Sequence, residues 1–207
     1  MTVAASQSPS TTIGASTRRA EIAKGDFFTI QHGRTWAQFK HLQKGYENSN
    51  VRLSFYKGTV GILMPSREHE IFKKLIGFLL ETFLHRKKVE FVAIGSATQE
   101  KEDTASAEPD ESYEIENLKL AVEVNFTSGD LSKLERYKAL GFNEVWVWED
   151  GVLEVYQLQG DHHEQVSQSS IPALSSLNLD IMVKCILMGE TSRLTAEEEL
   201  IKIHFSK

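Results

Sequence analysis

Apolar residues recur along this chain with one of two periods, and the switches between them mark out its elements. From Val51 to Met64 the run V-R-L-S-F-Y-K-G-T-V-G-I-L-M alternates apolar and polar positions on both sides of Lys57-Gly58, which predicts a β-hairpin. Pro65-Ser66 stops the second strand and starts a helix. Glu68 and Glu70 fall in its first turn, and His85, Arg86, Lys87 and Lys88 follow its end, both placements suiting the helix dipole. Ile71, Leu75, Phe78, Leu79 and Phe83 form its apolar stripe. Residues 89–95, V-E-F-V-A-I-G, read as a strand.

Upstream, Thr35 caps a short helix through Tyr46, with Trp36, Phe39, Leu42 and Tyr46 on one face. Downstream, L-K-L-A-V-E-V-N-F sets Leu118, Leu120, Val122, Val124 and Phe126 on one face of a strand and Lys119, Ala121, Glu123 and Asn125 on the other. Asp130 caps a helix that ends at Gly141, and the strand N-E-V-W-V-W-E follows at once. Strand, short helix and strand with tight loops make a βαβ unit, so these two strands belong to one sheet with a right-handed crossover. Trp146 and Trp148 share a strand face and are expected to pack under a helix. Asp150-Gly151 turns the chain into the hairpin partner V-L-E-V-Y-Q-L. From Asp161 the chain is polar, with His162-His163 expected at a solvated tip, and helical patterns return near residues 179–188 and 195–204. Residues 1–24, rich in Ser, Thr and Ala without periodicity, read as a disordered tail. That leaves a domain over residues 25–190, with a C-terminal helix over 191–207 packing on it.

Composition narrows the class. A chain of 207 residues with 41% hydrophobic and 25% charged residues is ordinary for a globular protein. The single cysteine, Cys185, permits no intrachain disulfide and is expected to be buried; a reducing cytoplasm is the natural compartment. The start of the chain has no secretory pattern, and no apolar run approaches a bilayer span. Net charge is −6, which argues against strong non-specific affinity for nucleic acid. Between Glu100 and Glu116 eight acidic residues stand against Lys101 alone. Such a block is a solvated loop or a cation site, and composition favours the loop.

Two of the acids carry a chemical possibility. A metal-dependent phosphodiesterase needs two or three converging oxygens around a hard cation, usually Mg²⁺ or Mn²⁺, and a nearby lysine. Glu123 is fixed on a strand with Asn125 two residues on, and Lys133 lies in the first turn of the following helix. Asp110 in Pro109-Asp110 precedes Glu123 by thirteen residues. The residues alone leave open that Asp110 is a turn residue, that Glu123 faces solvent and that Lys133 is a surface lysine. The basic cluster Arg86-Lys87-Lys88 could contact phosphates or simply cap its helix.

The stretch from Leu53 to Leu158 resembles the Uma-type family of restriction endonucleases. The matching pieces come in order: Y-K-G-T-V-G-I-L-M-P-S-R-E-H-E, I-G-S-A-T, A-E-P-D-E-S-Y-E-I, L-A-V-E-V-N-F-T-S, L-S-K-L-E-R-Y-K-A-L-G-F-N-E-V-W-V-W and L-E-V-Y-Q-L. The resemblance implies the PD-(D/E)XK fold, an α/β, restriction-endonuclease-like mixed β-sheet flanked by helices. It also implies DNA as substrate, a homodimer, and Asp110 and Glu123 as Mg²⁺ or Mn²⁺ ligands with Asn125 beside them. Lys133 then takes the place of the superfamily's lysine, with Tyr137 following it, and His69 and Glu70 match an H-E pair that neighbours the site. Two positions depart from the family: Gly61 stands where many relatives have Glu, and Asn125 where they commonly have Asp. The alternatives are a catalytically degenerate fold that binds nucleic acid or protein, and a dimerising partner with no nucleic-acid role.

Overall fold

The computed structural model describes residues 25–125 and 132–206. The expected N-terminal tail, the Asp130 cap and Phe126 lie outside them.

Strand β1 (Phe27–Gln31) opens the described chain, and helix α1 (Trp36–Gly45) follows. Thr35 caps α1 with a reciprocal bond to Gln38, so two of the otherwise unpaired backbone donors at the helix start are satisfied. The predicted hairpin is β2 (Arg52–Tyr56) with β3 (Thr59–Met64). Lys57 and Gly58 both take left-handed φ values of 44° and 82°, the conformation that matches a two-residue turn to the strand twist.

Ser66 caps helix α2 (Arg67–Lys87), its hydroxyl accepting from the His69 N–H at 3.2 Å. The helix runs through His85, Arg86 and Lys87 rather than ending before them, and it closes on left-handed Lys88. Its buried face is rotated from the expected stripe: Phe72, Ile76, Leu80 and Leu84 join Leu75, Leu79 and Phe83, while Ile71 is exposed. Lys87 Nζ donates to the Ala173 carbonyl at 2.9 Å and to Ser176 Oγ at 3.0 Å, so this member of the basic cluster ties the helix end to a neighbouring segment.

The acidic block is not a loop. After β4 (Phe91–Ala93), shorter than predicted, it contributes β5 (Gln99–Lys101), β6 (Ala105–Ala107) and β7 (Glu111–Ile115). Tertiary pairing overrode composition here: Ala105, Ala107, Tyr113 and Ile115 are buried in the strands, while Glu102, Asp103, Glu108, Asp110 and Glu116 lie in the connections between them. Strand β8 (Leu118–Asn125), helix α3 (Ser132–Ala139) and strand β9 (Glu144–Glu149) form the expected βαβ unit, with β8 and β9 parallel and Glu123 beside Val147. Strand β10 (Val152–Gln159) returns through Asp150-Gly151, and β11 (His162–Val166) pairs with it. His162-His163 therefore begins a strand rather than a loop tip. Helices α4 (Leu179–Gly189) and α5 (Arg193–Phe205) complete the described chain.

Two sheets result. One has the order β1-β3-β2-β6-β5; the other is mixed, with the order β11-β10-β9-β8-β7-β4. Strand β8 is buried on both faces, as a central strand between helical layers should be. Leu120, Val122 and Val124 join Trp146, Trp148, α2, α4 and α5 in the main core, where Cys185 is buried and Phe72 meets Trp148 at 5.5 Å between ring centroids. On the opposite face, Ala121 and Val145 pack with Leu134, Tyr137 and Phe142 from α3 and its following turn. A third cluster joins α1 to Leu53, Phe55, Val60 and Ile62. The two sheets meet near the C-terminal end of β8, and that junction holds the candidate site.

Candidate functional site

A cavity of about 270 Å³ lies at this junction. One wall is the first sheet: Phe28 and Ile30 from β1, Arg52 and Ser54 from β2, Gly61 and Leu63 from β3. Alternation explains the set, because Leu53 and Phe55 belong to the cluster against α1 while Arg52, Ser54 and Tyr56 occupy the other face. The opposing wall is Glu123, Val124 and Asn125 from β8 with Lys133, Arg136 and Tyr137 from α3. Spacings of three and four residues put those three helical side chains on one side of α3.

Glu123 is 6% exposed. Its Oε2 accepts from Lys133 Nζ at 3.0 Å and its Oε1 from the Tyr137 hydroxyl. Lys133 also donates to the Asn125 side-chain oxygen, so one ammonium ties both β8 residues together. Burial by itself would raise the Glu123 pKa. The charges of Lys133 and Arg136, with the Tyr137 and Lys133 hydrogen bonds, override it and hold the carboxyl below its ordinary value. Tyr137 is pushed well above its usual range by burial and by the Glu123 charge, so it stays a hydrogen-bond donor.

Asp110 lies immediately before β7 and is 2% exposed. Its N–H donates to the Val122 carbonyl at 3.1 Å, which anchors it beside β8. Oδ1 pairs with Arg52 and with His69 Nε2 at 2.7 Å, and Oδ2 accepts from the Val124 N–H at 2.6 Å. The second Arg52 nitrogen reaches Glu70, whose other oxygen accepts from Lys73 at 3.3 Å. His69 presents its Nδ1 to Asp26 Oδ2 at 2.9 Å, and Asp26 Oδ1 accepts from the Ser66 N–H at 2.5 Å. Lys73 is buried, and desolvation together with the Arg52 charge lowers its pKa.

The sequence-predicted residues thus gather into two adjoining groups: Glu123, Asn125, Lys133 and Tyr137 on the cavity, and Asp110, His69 and Glu70 around Arg52. Arg52, Asp26 and Arg136 were not foreseen. Arg52 had a detectable signal, a charge on the strand face shared with Gly61; Asp26 had none. Gly61 pairs with Ser54 across the β2–β3 ladder, and a Cβ there would come within 2.6 Å of Ser54 Oγ. The space around Gly61 is occupied by that hydroxyl, which in turn accepts from Arg136 Nη1 at 3.2 Å.

Two carboxylates and an amide oxygen suit a hard divalent cation by chemistry. Among the described residues, however, no three His, Cys, Asp or Glu side chains are grouped to hold one. An ion here would take Glu123, Asn125 and, at most, Asp110, with water completing its shell.

The architecture is similar to the crystal structure of a protein described as a putative nuclease belonging to DUF820 from Anabaena variabilis ATCC 29413. Identity is 15%, the match covers 73% of this chain and 98% of that one, and the TM-score is 0.53. The fold is therefore the restriction-endonuclease-like α/β fold. Residues 36–182 match the Uma2 family, described as "Putative restriction endonuclease", and the chain belongs to that family. No curated protein matches it. Among the described residues no helix is long and apolar enough to cross a membrane.

Proposed function

We propose that this chain is a metal-dependent endonuclease that hydrolyses phosphodiester bonds of DNA, with the cavity between the sheets as its active site. The observation that carries this reading is the buried Glu123, kept ionised at the cavity wall by Lys133 and Tyr137. Glu123, the Asn125 oxygen and Asp110 would hold Mg²⁺ or Mn²⁺, which would supply an acidified water and offset phosphate charge. Tyr137 fixes one Glu123 oxygen and leaves the carboxylate a single orientation. Lys133, released from Asn125, places its charge where a phosphate in the cavity needs it. Arg136 lines the same cavity and adds a second cation. Incubating supercoiled plasmid with Mg²⁺, Mn²⁺ or chelator tests the reading. Metal-dependent nicking that Glu123→Gln abolishes is expected, and equal nicking by both proteins would refute the assignment.

A second reading has its own support. Both Asp110 oxygens already have protein donors, and neither Gly61 nor Asn125 carries a carboxylate. A degenerate site that binds nucleic acid or protein as a homodimer accounts for these features. Leu187 on α4 and Leu194 and Ile203 on α5 are exposed and offer a dimer surface. Light scattering combined with a DNA-shift titration over salt separates the two, because binding without nicking at any metal concentration favours this alternative.

A further inference from the structure

We infer that Arg52 is a tethered cation that competes with a divalent ion for Asp110. The Arg52–Asp110 pair and an ion on Asp110 are then mutually exclusive. The inference rests on the proposed reading of Asp110 as an ion ligand.

Asp110 has three donors for its two oxygens, and they differ in how easily they can leave. The Val124 N–H belongs to the backbone of a central strand. His69 is fully buried and held from behind by Asp26. Val124 also lines the cavity, but it holds Asp110 through its backbone; Arg52 is the one of the three whose charged side chain both touches Asp110 and lines the cavity. Its second nitrogen is on Glu70, whose side chain is 42% exposed, so the guanidinium has a carboxylate to follow when it moves off Asp110. Asp110 itself does not line the cavity, so a solute entering from there meets Arg52 first. Like charges a few ångströms apart disfavour one another, so a guanidinium and a divalent ion compete for Asp110 Oδ1. The pair therefore neutralises the carboxylate without an ion, and it weakens the affinity of any ion that comes.

The test is calorimetric titration with Mn²⁺ on the full chain: wild type, Arg52→Gln, Arg52→Lys, and Arg52→Gln combined with Asp110→Asn. Arg52→Gln keeps an amide donor and removes the charge, so affinity should tighten at least tenfold. Arg52→Lys keeps the charge and should stay within about threefold of wild type, by the same charge argument. Adding Asp110→Asn should abolish the gain. Folded Arg52→Gln that binds Mn²⁺ no tighter than wild type overturns the inference. A measurement on wild type covers the case in which that variant does not fold. The Arg52 guanidinium protons, which the ion pair should protect from exchange, are followed by ¹⁵N–¹H NMR and should become exchange-labile once Mg²⁺ is bound; unchanged protons on the ion-bound protein overturn it equally. Failure of the endonuclease reading looks different. If Arg52→Gln gains Asp110-dependent affinity while wild type nicks no plasmid, the competition stands and the hydrolysis falls.

Discussion

Glu123 and Glu144 are both buried on adjacent strands of the six-stranded sheet, yet their oxygens meet different kinds of partner. Glu144, at the start of β9, accepts from Trp146 Nε1 at 2.6 Å, from Ser169 Oγ at 2.7 Å, and from the Ser170 N–H and Oγ at 2.8 Å each. These donors are neutral, they point at one carboxylate from two segments, and none belongs to the cavity. Glu123 is served by an ammonium and a phenol from a single helix, at a cavity wall. A buried carboxylate surrounded by fixed neutral dipoles clasps chain segments together. One balanced by a mobile cation can exchange that cation for another, which is what ion or phosphate binding requires.

The largest effect expected from this contrast is at Glu144. Glu144→Ala leaves buried donors on Trp146, Ser169 and Ser170 without an acceptor, at a cost of about 3 kcal/mol in unfolding free energy. Chemical denaturation measures it, and a loss under about 1 kcal/mol would mean that Glu144 is no clasp. Glu123→Gln should do the reverse. Stability should change by about 1 kcal/mol or less, while Mn²⁺-dependent nicking falls at least about 100-fold.

Tyr137→Phe sits between these extremes. Loss of the hydroxyl frees one Glu123 oxygen, so nicking should fall about tenfold and stability by about 1 kcal/mol. If nicking is unaffected, Tyr137 is only a core residue.

The smallest expected effect is in the acid limb of stability. Burial would raise the Asp26 pKa, but the His69 and Ser66 hydrogen bonds and the His69 charge hold it below its ordinary value. A carboxyl whose folded pKa lies below its unfolded one stabilises the fold above the unfolded value, and that contribution disappears as pH falls through the folded value. Asp26→Asn should therefore cost about 1 kcal/mol at neutral pH. The difference from wild type should shrink toward zero below about pH 4. A difference that does not change with pH would show that the Asp26 charge contributes nothing.

Much of this was legible in the sequence because it is local. The Lys57-Gly58 and Asp150-Gly151 turns, the Ser66 cap and the strand–helix–strand order around Glu123 are set by neighbours in the chain. Lys133 could be placed near Glu123 because a helix following a strand returns its inner face over that strand, and Tyr137 came only with the family resemblance. What stayed hidden is non-local. The acidic block looked solvated because its partners, Phe55 and Tyr56 across from Ser106 and Ala105, lie some fifty residues upstream. Strand β11 is polar because it lies at a sheet edge, where among the described residues it pairs with β10 alone. Arg52 meets Asp110 across 58 residues of sequence, and no spacing rule reports that.

If Glu123, and not merely any buried acid of this sheet, is the working carboxylate of the site, nicking should depend on Glu123 and not on Glu144. The direct measurement is plasmid nicking with Mn²⁺ by three purified, folded proteins: wild type, Glu123→Gln and Glu144→Gln. Nicking by wild type and Glu144→Gln, with none by Glu123→Gln, is the predicted result. Nicking by Glu123→Gln at the wild-type rate would contradict it.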